Sequence, residues 1–201
     1  MRALIGCESS ARVRDAFRAR GWDAWSYDLL PCESDPRWHV QGDVRRAFRE
    51  HWDLGIFHPP CTFLTISANK WMKPEYESKY PTRKQDREDA ASFFMELWNA
   101  PIPRIAIENP IGVMSTRFRK PDQVIQPWMF GHPETKATCL WLKGLPKLSP
   151  THMKGDLFAE PEPEGREQRL HKLPPSPDRW KERSRTFTGI ASAMAQQWGT
   201  K

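Results

Sequence analysis

The feature that most constrains the fold of this chain is a short apolar run that two consecutive prolines bring to an end. Residues 53–57 form the run, and its pattern is typical of a strand covered on both faces of a sheet. Pro59 and Pro60 fix their φ angles and lack N–H donors, so the strand cannot continue through them. Cys61 is therefore presented at the strand's carboxyl end, where ligands bind in open α/β sheets. The alternative is that Cys61 is one more half-buried cysteine.

Strand-like and helix-like segments alternate along most of the chain. Further strands are predicted at residues 2–6, 23–28, 39–44, 103–107 and 139–142. Helices are predicted at residues 13–21, 44–51, 83–99 and 189–198. We interpret this order as an α/β fold.

A second polar motif follows the strand predicted at residues 103–107. It consists of Glu108, Asn109 and Pro110. If this strand and the strand before Pro59 are parallel in one sheet, Cys61 and Glu108 emerge at the same edge and face one pocket. The alternative is that Glu108 caps a helix and the next two residues make a turn.

A cysteine and a glutamate in one pocket suit the covalent activation of a pyrimidine. Attack of a thiolate on C6 of cytosine makes C5 nucleophilic, and a glutamic acid that donates to N3 stabilises the developing negative charge. The pKa of the thiol must then be lowered, by a helix N-terminus or by a nearby arginine or lysine. A base inside a duplex would have to be flipped out.

The first predicted strand is followed by a small polar loop and a helix, an order that suits a nucleotide-type cofactor because a helix N-terminus offers free N–H groups. The loop lacks the GxGxxG pattern of dinucleotide sites. Asp28 ends the next strand, where α/β folds bind a ribose hydroxyl, although such an aspartate is also common as a cap or turn residue. Asp43 either caps the following helix or reaches a ligand.

Composition limits the environment and the partners. The chain has 201 residues, 38% of them hydrophobic and 28% charged, which predicts a single globular domain over residues 1–201. No apolar run is long enough for a membrane span, and the N-terminus leads directly into a strand, so we expect a cytoplasmic protein. Four cysteines without a CxxC pair and six scattered histidines favour neither disulfides nor a metal site.

The charge and the aromatic content point to a polyanionic partner. The net charge is +6, with local clusters of Arg and Lys, and the chain holds ten tryptophans. Aromatic rings among cations suit stacking of nucleic-acid bases, while a merely solvated basic surface is the alternative. Residues 62–80 are predicted to form a mobile loop over the site, and residues 146–185 a long loop or small recognition insert.

Three motifs make the chain similar to the DNA (cytosine-5) methyltransferases, and more closely to short members often encoded by bacteriophages. Pro60-Cys61 matches the family's nucleophile motif, and Glu108-Asn109 matches its Glu-Asn-Val motif, with Pro110 in the third place. Residues 130–138 and Gly144 align without gaps on an aromatic-Gly-x-Pro-Gln-x-Arg-x-Arg signature that ends in a strand and a glycine.

The resemblance implies a Rossmann-like, S-adenosylmethionine-dependent methyltransferase fold, with a mostly parallel sheet and helices on both faces. It implies transfer of a methyl group to C5 of cytosine in DNA. Cys61 would be the nucleophile, and Glu108, with Asn109 beside it, would hold N3 and the exocyclic amine. The residues implied for the cofactor are Gly6, Glu8 and Ser9 at the methionine part, Asp28 at the ribose, Asp43 at the adenine, and Pro59.

The chain departs from the family's pattern at the substrate side. Glu134, Lys136 and Thr138 replace Gln, Arg and Arg, and the family uses the last arginine near the cytosine carbonyl oxygen. Thr138 cannot supply that charge, so we expect Lys136, Arg183 or Arg185 to compensate. Residues 146–185 stand where family members carry a larger target-recognition domain. The sequence is therefore compatible with three substrates: duplex DNA, single-stranded DNA and a free deoxycytidine nucleotide.

Two further interpretations remain from the sequence. An amino-methyltransferase acting on adenine N6 or cytosine N4 carries Asp/Asn/Ser-Pro-Pro-aromatic at the same strand end, which His58-Pro59-Pro60 resembles. Cys61 in the aromatic place and Glu108 in a second motif argue against it. A catalytically inert DNA-binding protein is the other interpretation. The sequence predicts neither the bases recognised nor the oligomeric state.

Overall fold

The computed structural model describes residues 1–152 and 169–200 of the chain, which contain one seven-stranded sheet. Its strands are β1 (Arg2–Gly6), β2 (Asp23–Asp28), β3 (His39–Gln41), β4 (Leu54–Phe57), β5 (Ile105–Pro110), β6 (Gln123–Ile125) and β7 (Thr138–Lys143). The strand order is β3-β2-β1-β4-β5-β7-β6. Strands β1 to β5 pair in parallel, whereas β7 runs antiparallel between β5 and β6. The predicted Rossmann-like α/β fold, with its mostly parallel sheet, is thereby confirmed.

Six α-helices are formed by the described residues. They are α1 (Arg12–Arg18), α2 (Arg83–Trp98), α3 (Met114–Arg117), α4 (Arg169–Lys172), α5 (Arg179–Ser184) and α6 (Thr188–Trp198). The helix predicted at residues 44–51 is instead a 3₁₀ helix, Val44–Arg49, and the strand before it ends at Gln41. The Asp43 side chain accepts from the N–H of Arg45, so Asp43 caps this helix.

The sheet is buried on both faces, because successive side chains of a strand point to opposite sides. In β1, Ala3 and Ile5 pack in one core cluster with α1 and α6, whereas Leu4 packs in the other with α2. Phe17 of α1 and Met194 of α6 are buried in the first cluster. Helices therefore lie on both faces, as predicted.

Strand β5 continues beyond the residue where the sequence pattern ends. We expected the proline motif to stop the strand at residue 107, but β7 pairs with β5 as far as Pro110, which stands opposite Thr138. A proline is tolerated at such a strand end because only one ladder hydrogen bond is lost. Glu108 is consequently a strand residue, so the interpretation of Glu108 as a helix cap is wrong.

The segment predicted as a long loop, residues 146–185, is partly helical. It contains α4 and α5, and Leu148 and Leu170 are buried in the same core cluster as α6. Helices of four and six residues are too short to give a periodic pattern. Residues 153–168 of this segment lie outside the described residues. None of the helices described is long and apolar enough to cross a membrane.

Candidate active site

The turn that carries Cys61 and the motif that carries Glu108 meet at one edge of the sheet. Strands β4 and β5 are parallel, with Phe57 opposite Ile107. The residues that follow the two strands therefore leave the sheet at the same edge. The buried amide of Asn109 donates from Nδ2 to the carbonyl oxygen of Pro59, at 2.9 Å. The diproline turn is therefore tied directly to β5, and the expected common edge is confirmed.

A second tie joins the two strand ends through a histidine. His58 Nδ1 lies 3.1 Å from Oε2 of Glu108, and the two side chains are 7% and 14% exposed. Sequence reasoning assigned His58 no role of its own. The signal for it was its place between a buried strand and two prolines, which fixes the direction of the side chain.

The surroundings of Glu108 favour its ionised form. Burial by itself raises the pKa of this carboxyl, but the hydrogen bond with His58 and the charge of Lys136 act in the opposite direction, as does a hydrogen bond with Thr138. The opposing contacts prevail, and the pKa of Glu108 lies below its ordinary value. Glu108 is therefore a carboxylate near neutral pH, which accepts hydrogen bonds and has no proton of its own to donate.

The thiol of Cys61 is held in its protonated form. The residue is exposed at the turn, yet burial of its sulfur raises the pKa of Cys61, and the charge of Glu108 raises it further. Lys136 and Arg183 lower it, but by less. The lowered pKa that we expected from nearby cations is thus not present in the free protein, because the carboxylate and the loss of hydration outweigh them.

The loops that follow Cys61 and Pro110 are clasped together. Thr65 and Gly112 form an isolated antiparallel bridge, and the N–H of Val113 donates to the carbonyl oxygen of Leu64 at 2.8 Å. A Cβ atom on Gly112 would lie 2.0 Å from that oxygen. Only glycine permits this approach, so the clasp fixes how the loop after Cys61 is oriented toward β5.

Two of the residues predicted to contact the substrate lie beside Glu108. The charge of Lys136 acts on both Glu108 and Cys61. The Thr138 hydroxyl has one proton, which it can donate either to the carboxylate of Glu108 or to the carbonyl oxygen of Lys136, at 3.2 Å. Lys136 thus stands where it can supply the positive charge that Thr138 lacks.

The two predicted arginines differ in their surroundings. The charge of Arg183 lowers the pKa of Cys61 and therefore acts at the same site. Arg185 pairs with Glu33 at 2.8 Å and also with Glu182. The structure brings Arg183 toward Cys61 and commits Arg185 to these carboxylates.

The predicted cofactor loop after β1 is folded tightly. The carboxylate of Glu8 is 5% exposed and accepts from the N–H groups of Val13 and Arg14, at 2.8 and 3.3 Å. The free N–H groups that we expected at the start of α1 are therefore occupied by Glu8. The carbonyl oxygen of Ser9 accepts from Glu33 N, and a Cβ on Gly6 would lie 2.5 Å from the ring of Phe57.

The remaining predicted cofactor residues make the same edge acidic. Asp28 accepts from Leu30 N at 2.9 Å, and burial raises its pKa. Asp43 is paired with Arg45, whose hydrogen bonds lower the pKa of Asp43. Burial first, and then the charges of Asp28 and Asp43, raise the pKa of the Cys7 thiol. These carboxylates therefore act together on the end of β1.

An aromatic group lies in the segment that follows Cys61, and we call it the Trp71 cluster. The ring of Trp71 makes edge contacts with Tyr76 and Tyr80, at centroid distances of 5.0 and 5.5 Å. The cations Lys70 and Arg83 lie over Trp71 and Tyr80, at 4.3 and 5.5 Å. Residues 62–80 also hold two 3₁₀ helices, Ile66–Met72 and Pro74–Tyr76, so the segment is more ordered than we expected.

The described side chains do not support metal ligation. Within residues 1–152 and 169–200, no group of three or more His, Cys, Asp and Glu side chains is arranged to hold a metal ion.

A likeness of the chain to known proteins is found among solved structures. No protein-family model matches the chain, and no curated protein matches it. The solved structures that match include a candidate DNA modification methyltransferase encoded within a prophage of E. coli. The identity is 13%, the TM-score is 0.44, and the match covers 71% of this chain and 46% of that chain. The chain thus spans about half the length of that protein.

Proposed function

We propose that this chain is an S-adenosylmethionine-dependent methyltransferase that adds a methyl group to C5 of cytosine in DNA, through a covalent adduct on Cys61. The observation that carries the proposal is the common edge of Cys61 and Glu108, with the charge of Lys136 acting on both. A nucleophile, a group that recognises the base and a cation are the parts that this reaction needs.

The cofactor side fits a molecule that donates hydrogen bonds and lacks phosphate. S-Adenosylmethionine has hydroxyl groups on its ribose and an amine on its adenine, and the carboxylates of Asp28 and Asp43, which accept hydrogen bonds, act together at the end of β1. Glu8 occupies the start of α1, which would repel a phosphate. When bound, the cofactor supplies an electrophilic methyl group. Asp28 would hold its ribose, Asp43 its adenine, and Gly6, Glu8, Ser9 and Pro59 the methionine end.

The substrate side follows from the charges at Cys61. The Sγ atom of Cys61 forms a bond to C6 of cytosine, and the electron pair of the C5–C6 double bond shifts toward C5 and N3. Glu108 accepts from the exocyclic amine, and a proton reaches N3 to neutralise the new charge. After C5 is methylated, the C5 proton leaves and the S–C6 bond breaks, which restores Cys61.

Binding of the base would also activate the thiol. The charge of Glu108 is one reason why the pKa of Cys61 is raised. When Glu108 pairs with cytosine, that charge is partly neutralised, so the pKa of Cys61 falls and the thiol loses its proton to solvent more readily.

A polyanionic substrate suits the net charge of the chain and its aromatic residues. The net charge of the chain is +6, and the Trp71 cluster follows Cys61 directly in the chain. Stacking on such rings is worth about 1–3 kcal/mol per base and is independent of sequence. These features support DNA in preference to a free nucleotide.

The deciding experiment identifies the product. The protein is incubated with labelled S-adenosylmethionine and duplex DNA, single-stranded DNA or dCMP, and the modified nucleoside is identified by mass spectrometry. We expect 5-methyldeoxycytidine from DNA, and none from Cys61→Ser or Glu108→Gln. Cys32→Ser is the matched control and should retain activity, because the Cys32 sulfur contacts Arg14 and Ser34 instead. N4-methylcytosine or N6-methyladenine as the product would refute the proposal.

A second experiment tests the covalent step. In DNA that contains 5-fluorodeoxycytidine, C5 carries fluorine in place of hydrogen. Fluorine cannot leave C5 as the proton does, so the bond between Sγ and C6 should persist. We expect a denaturant-resistant complex with the full chain and none with Cys61→Ser. A complex that forms equally with the variant would exclude Cys61 as the nucleophile.

A further inference from the structure

The imidazole of His58 is the buried polar group at this edge that the proposed reaction does not yet use. Its backbone N–H donates to the carbonyl oxygen of Gly6 at 2.9 Å, so the residue is fixed between β1 and β5. Its side chain is 7% exposed, with Nδ1 at 3.1 Å from Oε2 of Glu108. Its other nitrogen, Nε2, is buried and has no hydrogen-bond partner among the described residues.

This arrangement is unfavourable for a residue that only supports the fold. A carboxylate is an acceptor only, so Nδ1 carries the proton in the contact with Glu108. Nε2, an acceptor in the neutral ring and an N–H donor in the imidazolium, is then buried without a partner in the described part of the chain, which costs about 1–3 kcal/mol. A histidine kept under these conditions indicates a function that requires a titratable ring.

The reaction has such a requirement at N3. When sulfur adds to C6, N3 gains negative charge and must receive a proton. Glu108 faces N3 in the proposed complex, but its pKa is lowered, so near neutral pH it holds no proton to give. Histidine is the side chain that most readily stores and releases a proton in this pH range.

We propose that His58 is the positioning residue of Glu108 and stores the proton that Glu108 delivers to N3; this inference rests on the proposed function. In the reactive complex His58 is an imidazolium. Its Nδ1–H bond breaks as an O–H bond forms at Oε2 of Glu108, and that proton then moves to N3. Glu108 is a carboxylate before and after the step, His58 becomes neutral, and the proton returns by the same route when the product regains its aromatic ring.

The charges around His58 are compatible with an imidazolium. Glu108 faces the ring from β5, and Asp28, at the end of β2, interacts electrostatically with it. The cations of the site, Lys136 and Arg183, act on Glu108 and Cys61. Two carboxylates contributed by different strands thus act on the ring.

Two substitutions distinguish the two roles proposed for His58, which are to hold Glu108 in place and to store the proton. His58→Asn places an amide N–H where Nδ1–H stands, so Glu108 is still held but no proton is stored, whereas His58→Ala removes both functions. For His58→Asn we expect the single-turnover rate of methyl transfer at pH 7 to fall by about 100-fold, the lower range for general acid–base catalysis. The KM values for DNA and cofactor should stay within about twofold, because ground-state binding is retained.

The dependence of the rate on pH is the measurement that a purely structural role of His58 would leave unchanged. In the wild-type protein the rate should decline on the alkaline side as the imidazolium loses its proton, and this decline should be absent in His58→Asn. Unchanged rate and an unchanged alkaline decline in His58→Asn would overturn the inference. If the wild-type protein makes no 5-methylcytosine, the proposed function itself fails.

A measurement on the free protein remains decisive even if a variant folds poorly. In protein labelled with ¹⁵N-histidine, NMR should show a ring with a protonated Nδ1 that disappears in His58→Asn and shifts in Glu108→Gln. A His58 signal that Glu108→Gln does not alter would show that the two side chains do not share a proton.

Discussion

At the scale of single residues, the site is organised by opposing effects on two ionisable groups. Glu108 is kept ionised by His58, Lys136 and Thr138 in spite of its burial, and burial of the sulfur together with the charge of Glu108 keeps the Cys61 thiol protonated. A cysteine whose pKa is raised is less prone to oxidation and alkylation, because the thiolate is the reactive species.

This coupling predicts how the reactivity of Cys61 responds to substitution. In Glu108→Gln a negative charge is removed, the pKa of Cys61 falls, and alkylation by iodoacetamide at pH 8 should be several-fold faster. In Lys136→Ala the pKa rises and alkylation should be slower. Both rates are measured by mass spectrometry, with Cys32 in the same digest as the internal control. Equal labelling of Cys61 in all three proteins would mean that the three groups do not interact.

At the scale of elements, the relative placement of the two strand ends depends on backbone contacts. Asn109 joins β5 to the diproline turn, and the bridge between Thr65 and Gly112 clasps the two loops beyond it. These contacts hold the loop after Cys61 at a defined angle, which matters because misplacement of a reacting group by about 1 Å costs about 100-fold in rate.

The clasp predicts a specific effect of Gly112→Ala. The new Cβ would meet the carbonyl oxygen of Leu64 at 2.0 Å, so the two loops must separate. We expect a loss of about 1–3 kcal/mol in the free energy of unfolding, with a marked fall in methyl transfer. Urea denaturation and single-turnover kinetics measure the two effects. Gly42→Ala is the matched control, since a Cβ there meets only a flexible arginine tip at 3.9 Å, and comparable losses in both variants would count against the clasp.

The Trp71 cluster predicts where single-stranded DNA makes contact. Trp71→Ala removes the ring that Tyr76 and Tyr80 support, and the affinity for single-stranded DNA should fall by the equivalent of about 1–3 kcal/mol. Fluorescence anisotropy gives the affinity. Trp38→Ala, in a separate cluster with Trp25 and Arg18, should leave it unchanged. Equal losses would point to a general effect on folding.

At the scale of the whole molecule, the carboxyl edge of the sheet has two halves of opposite charge. Asp28 and Asp43 act at the end of β1, while Lys136 and Arg183 act at the ends of β4 and β5. This division agrees with the cofactor and the DNA that the proposed function requires. The topology places the two halves side by side, because β1 pairs with β4.

The overall charge predicts a strong dependence of DNA binding on salt. A chain with a net charge of +6 that contacts phosphates releases counterions, so the logarithm of the association constant should fall linearly with the logarithm of the salt concentration. The slope is obtained from titrations at several salt concentrations. An affinity that is independent of salt would argue against a phosphate-contacting surface.

The sequence by itself determined the strands β1, β2 and β4, the helices α2 and α6, and the position of Cys61 after its strand. Apolar periodicity and the backbone chemistry of proline act over a few neighbouring residues, so these features can be read locally. The family resemblance added the nucleophile and base-binding roles of Cys61 and Glu108 as predictions.

Only the tertiary structure decided the contacts that join distant residues. His58 and Glu108 are 50 positions apart, and they meet because β4 and β5 pair in parallel. The extension of β5 to Pro110 required the reversed strand β7, and the raised pKa of Cys61 required burial of its sulfur and the charge of Glu108. Pairing register and electrostatic coupling are properties of packed neighbours, which no local pattern contains.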